Sequence, residues 1–535
     1  MDVDKGVDKG VKDQRDRMDE GEFDYLVIGT GLSESILTRL LSGSASATVL
    51  QVDPNTRYGQ SWTALQLDQL QSIGPSLPNS SLEIFDDIQD ADYQIQSKKT
   101  SSEYALTLQP ALVPARGGFI DLIVSSNVAP YLSFQLLNQF ILAQEGDEEF
   151  LALPGSKHDL FKLQGLSLMD KRLLMRFFQS VIKSNNSSDQ QMDSKLDYEI
   201  SLKDHLERPP YSISNPKLIS MIAALSLSPT SDAPAQAVID RLMTIFRSIG
   251  RHPSSTSSVL PAALLIGEYG GGGEWVEGFV RSAAVTGNSV QVLGRPVISL
   301  KESTEDKKWI IRLGDQKDQS GLAEKELEFR AKHLCISEQY ISILKPDLPP
   351  RKPLFYILRG IIILQGSALN LFEAEKDFSG EPRPENSLVV FPPTGECKNP
   401  VQALILGPHS GCCPIGQEVI YLSTIIENRQ QKQDQISPDL EPKRLLKPFL
   451  DRLLIRSLKC SKSSTSKNRS VRLSLYYSQL IQKQLDEDID EVAEEFECKT
   501  NIVPDWVNDL ERSTLIEVVE SLTEQIESIY ESIIQ

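Results

Sequence analysis

Apolar residues near the start of the chain follow two different spacings, which together predict a strand, a helix and a second strand. Residues 26–28 form a continuous apolar run, and apolar residues then recur at helical spacing across residues 36–41. A second apolar run, residues 49–52, follows. Because strand–helix–strand is the repeating unit of parallel sheets, this pattern predicts an α/β protein.

The turn between the first strand and the helix carries part of a dinucleotide-binding fingerprint. Gly29 and Gly31 have the right spacing, and Asp53 ends the second strand about twenty residues later, where the fingerprint places a ribose-binding acid. The third glycine is replaced by Glu34, which adds bulk and negative charge where a phosphate would approach the helix. We therefore expect an FAD/NAD(P)-binding Rossmann-type domain with a degraded fingerprint and no cofactor.

Helical spacing dominates the middle of the chain and predicts an inserted α-helical domain at residues 119–250. The apolar positions recur in residues 119–134, 167–182, 218–227 and 235–249. Ser167 and Asp170 open the second stretch and resemble a capping box, with Asp in place of Glu or Gln. The large α/β domain is then divided into two parts, residues 23–118 and 251–480.

Short apolar runs predict the strands of the second part. They occupy residues 290–293, 309–313, 334–336, 354–364, 388–391, 403–406 and 419–424. At residues 267–285, glycines precede an amphipathic helix. The Gly-Lys-Ser/Thr of a phosphate-binding loop is absent there, so we interpret residues 270–273 as a site of close backbone approach.

Polar composition predicts the segments outside the cores. They are a tail at residues 1–22, an insertion at 66–105, linkers at 427–445 and 457–470, and an acidic segment with a final helix at 481–535.

The net charge of −19 excludes nucleic acid as a partner, because nucleic-acid binding needs a basic surface. The charge suits a partner with a basic surface or tail, although solubility alone also explains it. No apolar run approaches the ~20 residues of a membrane span, and six cysteines in 535 residues are no disulfide framework. A cytoplasmic protein is expected.

The residues alone indicate no catalytic or metal site. The five histidines have no ligand spacing, and Cys412 and Cys413 lack the Cys-x-x-Cys spacing of a redox pair, so a structural role is expected for them. Glu274 and Glu277 would by themselves be the solvated face of a helix. A scaffold of this kind is typical of a binding protein.

Three motifs resemble the superfamily of Rab GDP-dissociation inhibitors and Rab escort proteins. They are Tyr-Leu-Val-Ile-Gly-Thr-Gly-Leu-Ser-Glu at residues 25–34, Val-Asp-Pro-Asn-Thr-Arg-Tyr-Gly-Gln-Ser at 52–61, and Gly-Glu-Trp-Val-Glu-Gly-Phe-Val-Arg at 273–281. In that superfamily Glu34 belongs to the pattern. Residues 119–134, 166–178 and 474–480 are similar to the escort branch.

The resemblance implies a non-catalytic accessory subunit. Such a protein binds a newly made, GDP-bound Rab GTPase and presents it to the catalytic heterodimer of Rab geranylgeranyltransferase. It then holds the geranylgeranyl group of the lipidated Rab and makes transient membrane contact on delivery. A Rab GDP-dissociation inhibitor, which extracts prenylated Rabs, remains an alternative. A flavin-dependent oxidoreductase is the alternative of another class.

The resemblance also implies which residues bind the Rab. They are Tyr58, Glu274, Glu277, Arg281 and Ser289. Glu277 stands where the family has glutamine, which replaces an amide by a charge.

For the prenyl chain, the small residues Ala223 and Ala224 between apolar helices are the candidates; without the resemblance they would indicate close helix packing.

Overall fold

The protein is described here from a computed structural model. It describes residues 21–43, 47–85, 101–144, 150–154, 157–163, 165–186, 200–228, 232–252, 261–303, 305–314, 326–346, 353–369, 371, 384–395, 397–427, 441–460, 470–482, 496, 499–503 and 517–534.

The secondary structure alternates between strands and helices. The strands are β1 (Glu22–Ile28), β2 (Val49–Asp53), β3 (Ala64–Leu65), β4 (Ser81–Ile84), β5 (Leu106–Thr107), β6 (Leu112–Pro114), β7 (Phe134–Leu136), β8 (Gln139–Ala143), β9 (Phe150–Ala152), β10 (Leu264–Gly267), β11 (Ser289–Leu293), β12 (Val297–Ser303), β13 (Lys308–Leu313), β14 (Leu327–Ser337), β15 (Pro353–Gln365), β16 (Asn386–Phe391), β17 (Val401–Leu406), β18 (Gln417–Glu427), β19 (Ser470–Gln482) and β20 (Thr500–Val503). The helices are α1 (Leu32–Gly43), α2 (Leu67–Ile73), α3 (Gly118–Ser125), α4 (Lys157–Lys162), α5 (Leu168–Asn186), α6 (Leu202–Glu207), α7 (Pro216–Leu225), α8 (Ala235–Ser248), α9 (Gly272–Val285), α10 (Pro442–Cys460) and α11 (Glu517–Ile534).

A largely parallel sheet forms the first layer. Its order is β11-β2-β1-β14-β13-β12, and β20 also pairs with β14. Strands β11, β2, β1, β14 and β20 pair in parallel, whereas β12, β13 and β14 form an antiparallel meander. Val27 and Ile28 are fully buried, as expected of a strand covered on both faces. The α/β class and the Rossmann-type strand–helix–strand start are therefore confirmed.

An eight-stranded mixed sheet forms the second layer, with the order β4-β19-β15-β18-β17-β16-β8-β9. Alternate residues of β15 face opposite sides. Ile361 and Ile363 belong to the core shared with the inserted helices, and Leu358 and Ile362 belong to the core under α10. The predicted strand at residues 354–364 is thus an interior strand of a sheet that is covered on both faces.

The structure corrects the predicted start of the inserted helical domain. Residues 134–136, 139–143 and 150–152 are the strands β7, β8 and β9, and β8 pairs in parallel with β16 of the eight-stranded sheet. Pro130 follows the end of α3, and the apolar run in β8 is only five residues long, which suits a buried strand better than a helix. The helical layer is α4 to α8, residues 157–248.

The capping box predicted at the start of α5 is confirmed. The backbone N–H of Asp170 donates to Ser167 Oγ at 3.1 Å, and Ser167 N donates to Asp170 Oδ2 at 3.2 Å. Both bonds satisfy N–H groups that a helix start leaves without intrahelical partners.

Several segments predicted as polar connections contain ordered elements. α2 and β4 lie within the predicted insertion at 66–105, and α10 covers parts of both predicted linkers, 427–445 and 457–470. Residues 1–20, 86–100, 428–440, 461–469 and most of the acidic segment lie outside the described residues.

The final helix, α11, is part of the large domain and not a separate appendage. Val519, Leu522 and Ile526 are fully buried in the core that also contains residues of α1 and α3. Among the described helices, none is both long and apolar enough to cross a membrane.

Candidate functional site

The turn after β1 is filled by side chains of the protein itself. A Cβ placed on Gly31 would lie 2.5 Å from Glu34 Oε2 and 2.8 Å from Gln60 Oε1. Gly29 has a φ of 120°, and its carbonyl accepts a hydrogen bond from Gln51 Nε2 at 3.0 Å. The carboxylate and amide therefore occupy the space over the glycines that a pyrophosphate would need.

The Asp53 carboxylate is also occupied by groups of the protein itself. Its side chain is fully buried and accepts hydrogen bonds from Thr30 Oγ1 at 2.6 Å, Asn55 N at 2.8 Å and the Tyr340 hydroxyl at 2.8 Å. These donors take the lone pairs that a ribose hydroxyl would use. Together with Glu34, this arrangement does not fit a dinucleotide, and the motif instead fixes the loop after β2.

That loop leads into a sharp turn that presents Tyr58. Gly59 has a φ of 99°, and a Cβ there would lie 2.9 Å from Thr63 N, so the turn requires glycine. Trp62 is buried and packs against Trp275 of α9, with ring centroids 6.3 Å apart. The tryptophan contact fastens the turn to α9.

The glycine-rich run before α9 permits close backbone approach, as predicted. Gly270 has a φ of 87°, and a Cβ there would lie 2.8 Å from Ala64 Cβ; at Gly273 a Cβ would lie 2.5 Å from Ala64 N. Further along the helix, Gly278 faces the side chains of Val128 and Leu132. These glycines let α9 pack directly on β3 and on residues 128–132.

Glu274, Glu277 and Tyr58 lie together on this surface. Glu274 Oε2 accepts a hydrogen bond from Ser133 N at 3.2 Å. Burial raises the pKa of Glu274 to about 7. The hydrogen bond from Ser133 N lowers this pKa, and repulsion from Glu268 and Glu277 raises it further. Burial also raises the pKa of Glu277, and burial with the nearby Glu277 charge raises that of Tyr58.

Arg281 completes the surface together with a residue that sequence reasoning missed. Its guanidinium lies 5.2 Å from the centroid of the Tyr131 ring, within cation–π range. Tyr131 follows Pro130 in a short 3-10 turn, Ala129–Tyr131, and the proline was the only signal in the sequence. Hereafter "the platform" means Tyr58, Tyr131, Glu274, Glu277 and Arg281.

Ser289 does not belong to this surface. It is fully buried at the start of β11, and its Oγ accepts a hydrogen bond from Gln291 Nε2 at 2.9 Å. β11 is the edge strand of the parallel sheet, paired with β2, and Ser289 is covered there although the strand is at the edge. The structure therefore corrects its assignment as a surface contact residue.

A separate apolar cavity of about 300 Å³ opens between α4, α5 and α8. Its lining comprises Pro154, Lys157, Leu160, Met175, Phe178, Gln179, Ile182, Phe246 and Ile249. Lys157 and Gln179 supply its polar part. We call this cavity the helical pocket.

Ala223 and Ala224, the predicted lipid-contact residues, do not line the helical pocket. Ala224 is a buried core residue of α7, and Ala223 of the same helix packs partly buried against that core. Close helix packing explains both alanines, and their contact with a prenyl chain stays a prediction.

Within the described part of the chain, no cluster of three or more potential metal ligands is found. Cys412 and Cys413 are both buried, with their sulfur atoms 3.9 Å apart, and are not joined in a disulfide. Their packing in the core agrees with a structural role.

The model of one protein family, described as GDP dissociation inhibitor, matches residues 18–322, which is more than half of the chain. The chain belongs to the GDP dissociation inhibitor family.

Relatives of this GDP dissociation inhibitor family member extend the match beyond residue 322. A Rab proteins geranylgeranyltransferase component A of Candida albicans is 27% identical over 449 residues, covering 78% of this chain and 61% of the relative. Rab escort protein 1 of Arabidopsis thaliana is 26% identical over 466 residues, covering 77% of this chain and 78% of the relative. The chain therefore matches less than two thirds of the Candida protein's length.

Among solved structures, the Rab GDI of Plasmodium falciparum has the same fold as this GDP dissociation inhibitor family member. The TM-score is 0.62 at 16% identity, and the match covers 96% of this chain and 98% of the other. At this identity the likeness establishes the fold alone.

Proposed function

We propose that this protein is a non-catalytic escort for Rab GTPases. It binds a newly made, GDP-bound Rab, presents it to the catalytic heterodimer of Rab geranylgeranyltransferase, and delivers the lipidated Rab from the cytosol to a membrane. The observation that most supports this proposal is the platform. It accompanies a dinucleotide-binding type of fold in which Glu34 and Gln60 fill the space that a phosphate would occupy. The same observation disfavours a flavin-dependent oxidoreductase.

The chemistry of the platform supports a protein partner. An exposed arginine and an adjacent tyrosine are the residue types that dominate the energy of many interfaces. Two carboxylates on the same face, Glu274 and Glu277, offer acceptors to a basic group of the partner. The platform therefore offers aromatic, cationic and anionic groups to a folded GTPase surface.

The helical pocket supports binding of an isoprenoid chain. Its walls are mainly leucine, isoleucine, methionine and phenylalanine side chains, and it opens on one side of the helical layer. Transfer of each CH₂ group of a lipid from water to such a site is worth about 0.8 kcal/mol. We place the geranylgeranyl group of the modified Rab here.

The names of the relatives favour an escort over a GDP-dissociation inhibitor. The Candida relative named as transferase component A and the Arabidopsis relative named as escort protein each match more than three quarters of this chain. A GDP-dissociation inhibitor that recycles prenylated Rabs is the second candidate. The two functions differ in timing, because an escort acts before lipidation of the Rab and a dissociation inhibitor acts after it.

Formation of a ternary complex tests the proposal. Purified chain, unprenylated GDP-bound Rab and transferase heterodimer are expected to co-elute, and Arg281→Ala should weaken the Rab affinity by roughly 1–3 kcal/mol. Ser289→Ala is a suitable control, because the Ser289 side chain is fully buried and presents no surface to a partner. A chain that binds neither unprenylated Rab nor transferase would exclude the escort function.

A further inference from the structure

The final helix, α11, packs against α1 and α3, and it is more than 200 residues away in sequence from α9. Its buried face, Val519, Leu522 and Ile526, belongs to the same core cluster as Phe119 of α3 and Phe279 of α9. This helix also lies beyond the 18–322 segment matched by the family model. It therefore shares one core with α3 and with α9, the helix that carries three of the platform residues.

Glu520 of α11 caps the start of α3. Its Oε2 accepts a hydrogen bond from Phe119 N at 3.3 Å. The residue before α3 is Gly117, which has no side chain to act as a cap, and a Cβ there would lie 2.6 Å from Glu520 Oε1. Because the first N–H groups of a helix have no intrahelical partner, a carboxylate at this place stabilises the helix start.

The contact continues from α3 to the platform. The Phe119 ring packs on Trp275, with centroids 5.2 Å apart, and on Phe279, with centroids 6.3 Å apart. Residues 128–132 follow α3 and pack against Gly278 of α9, and this segment brings Tyr131 under the Arg281 guanidinium. Glu520, Phe119 and Tyr131 thus belong to one continuous chain of packed groups.

We infer that Glu520 is a positioning residue for the platform: by capping α3 it fixes residues 118–132, and with them Tyr131, against α9. This inference rests on the proposed function, because the ligand whose binding it affects is the GTPase. It adds α11, which carries none of the three motifs, to the elements that determine GTPase affinity.

The first test replaces the capping group. Glu520→Ala removes the acceptor, and binding of GDP-bound Rab should weaken about three- to tenfold, in the range of a lost helix cap. Glu520→Gln keeps an acceptor oxygen and should bind within about twofold of the unmodified chain. Glu531→Ala, at an exposed position near the other end of the same helix, is the matched control and should have no effect.

A second pair of variants tests the same contact from the other side. Gly117→Ala places a methyl group against the Glu520 carboxylate and should weaken Rab binding as Glu520→Ala does. At Gly118 a Cβ would lie 3.5 Å from Glu520 Oε2, which is ordinary contact, so Gly118→Ala should bind normally. These small changes keep the test valid if the larger truncation at Glu520 disturbs folding.

Amide hydrogen exchange gives a readout that does not depend on the partner. Glu520→Ala and Gly117→Ala should accelerate exchange across residues 118–132, while residues of the distant helical pocket keep their protection. Unchanged exchange and unchanged Rab affinity in both variants would overturn the inference and leave the escort function standing. Failure of the unmodified chain to bind Rab would instead remove the proposed function, and this inference with it.

Discussion

The guanidinium of Arg281 lies 5.2 Å from the centre of the Tyr131 ring, and these two residues come from segments 150 positions apart in the sequence. Arg281 is the last residue of the glycine-rich family motif, whereas Tyr131 belongs to a turn outside that motif. The aromatic face restrains an otherwise exposed cation, which reduces the conformational entropy that binding would cost.

Tyr131→Ala is expected to weaken Rab binding, because it removes both the restraint on Arg281 and an aromatic contact surface. A cation–π contact at an exposed site is worth about 0.5–1 kcal/mol, so the loss in affinity should be about two- to fivefold or more. Tyr131→Phe keeps the ring and should bind normally. Calorimetry on both variants and on Arg281→Ala measures the effect, and equal affinities for the Ala and Phe variants would contradict it.

Glu274 should make stability depend on pH. Its pKa is about 7 in the folded protein and near 4.5 in the unfolded chain, so the folded state binds the proton more tightly. This contribution to the free energy of unfolding is present below the unfolded pKa and is lost as pH rises through the folded pKa. Burial likewise raises the pKa of Glu520 to about 7, against hydrogen bonds from the α3 backbone, so its sign is the same.

Chemical denaturation near pH 5 and pH 8 measures this dependence. Glu274→Gln removes the titrating group, so its stability relative to the unmodified chain should improve from the lower to the higher pH. The exposed Glu328 pairs with Arg312 across the antiparallel strands β13 and β14, and Glu328→Gln serves as the control. A constant stability difference between Glu274→Gln and the unmodified chain at both pH values would show that Glu274 does not titrate in this range.

Filling the helical pocket should separate lipid binding from GTPase binding. Met175 lines the pocket, and Met175→Trp places a larger side chain in a cavity of about 300 Å³. The variant is expected to lose most of its affinity for a geranylgeranylated peptide and to bind unprenylated Rab normally. Leu168→Trp, at an exposed position of the same helix, is the control; lipid affinity that survives in Met175→Trp would place the isoprenoid elsewhere.

Gly31→Ala should destabilise the protein, because the new methyl group would meet the Glu34 and Gln60 side chains inside the filled turn. Overpacking of this kind costs about 1–3 kcal/mol. At Gly43 the added Cβ would meet only the end of the flexible Arg39 side chain, so Gly43→Ala should be neutral or slightly stabilising. Equal stability of the two variants would mean that the turn has free space after all.

The sequence predicted the elements whose determinants are local. The capping box of Ser167 and Asp170, the strand–helix–strand start, and the glycine-rich approach to α9 all depend on neighbouring residues, and the structure contains each of them. The apolar spacings that predict strands and helices likewise depend only on residues close together in the sequence. These features could therefore be inferred without knowledge of tertiary contacts.

The features that sequence reasoning missed depend on long-range packing. Tyr131 joins the platform because Gly278 lets residues 128–132 approach α9, and Ser289 is excluded from it because the side chain is fully buried. Residues 139–143 were predicted within a helical domain, yet they form β8, whose parallel partner β16 lies some 250 residues further along the chain. No local pattern encodes such partners.

The helical pocket illustrates the same limit. Small residues at Ala223 and Ala224 indicate that helices approach closely there, which fills space. The cavity forms instead where α4, α5 and α8 diverge around Met175, Phe178 and Phe246. The position of a void depends on helix crossing geometry, which residue size at one position does not determine.

The most direct test of the escort function is a prenylation assay with unlipidated, GDP-bound Rab, Rab geranylgeranyltransferase heterodimer and geranylgeranyl diphosphate, run with and without this chain. Rab is expected to become geranylgeranylated only when the chain is present, and Arg281→Ala is expected to raise the amount of chain required. A chain that extracts prenylated Rab from membranes but leaves the transferase reaction unchanged would contradict the escort function and identify a GDP-dissociation inhibitor.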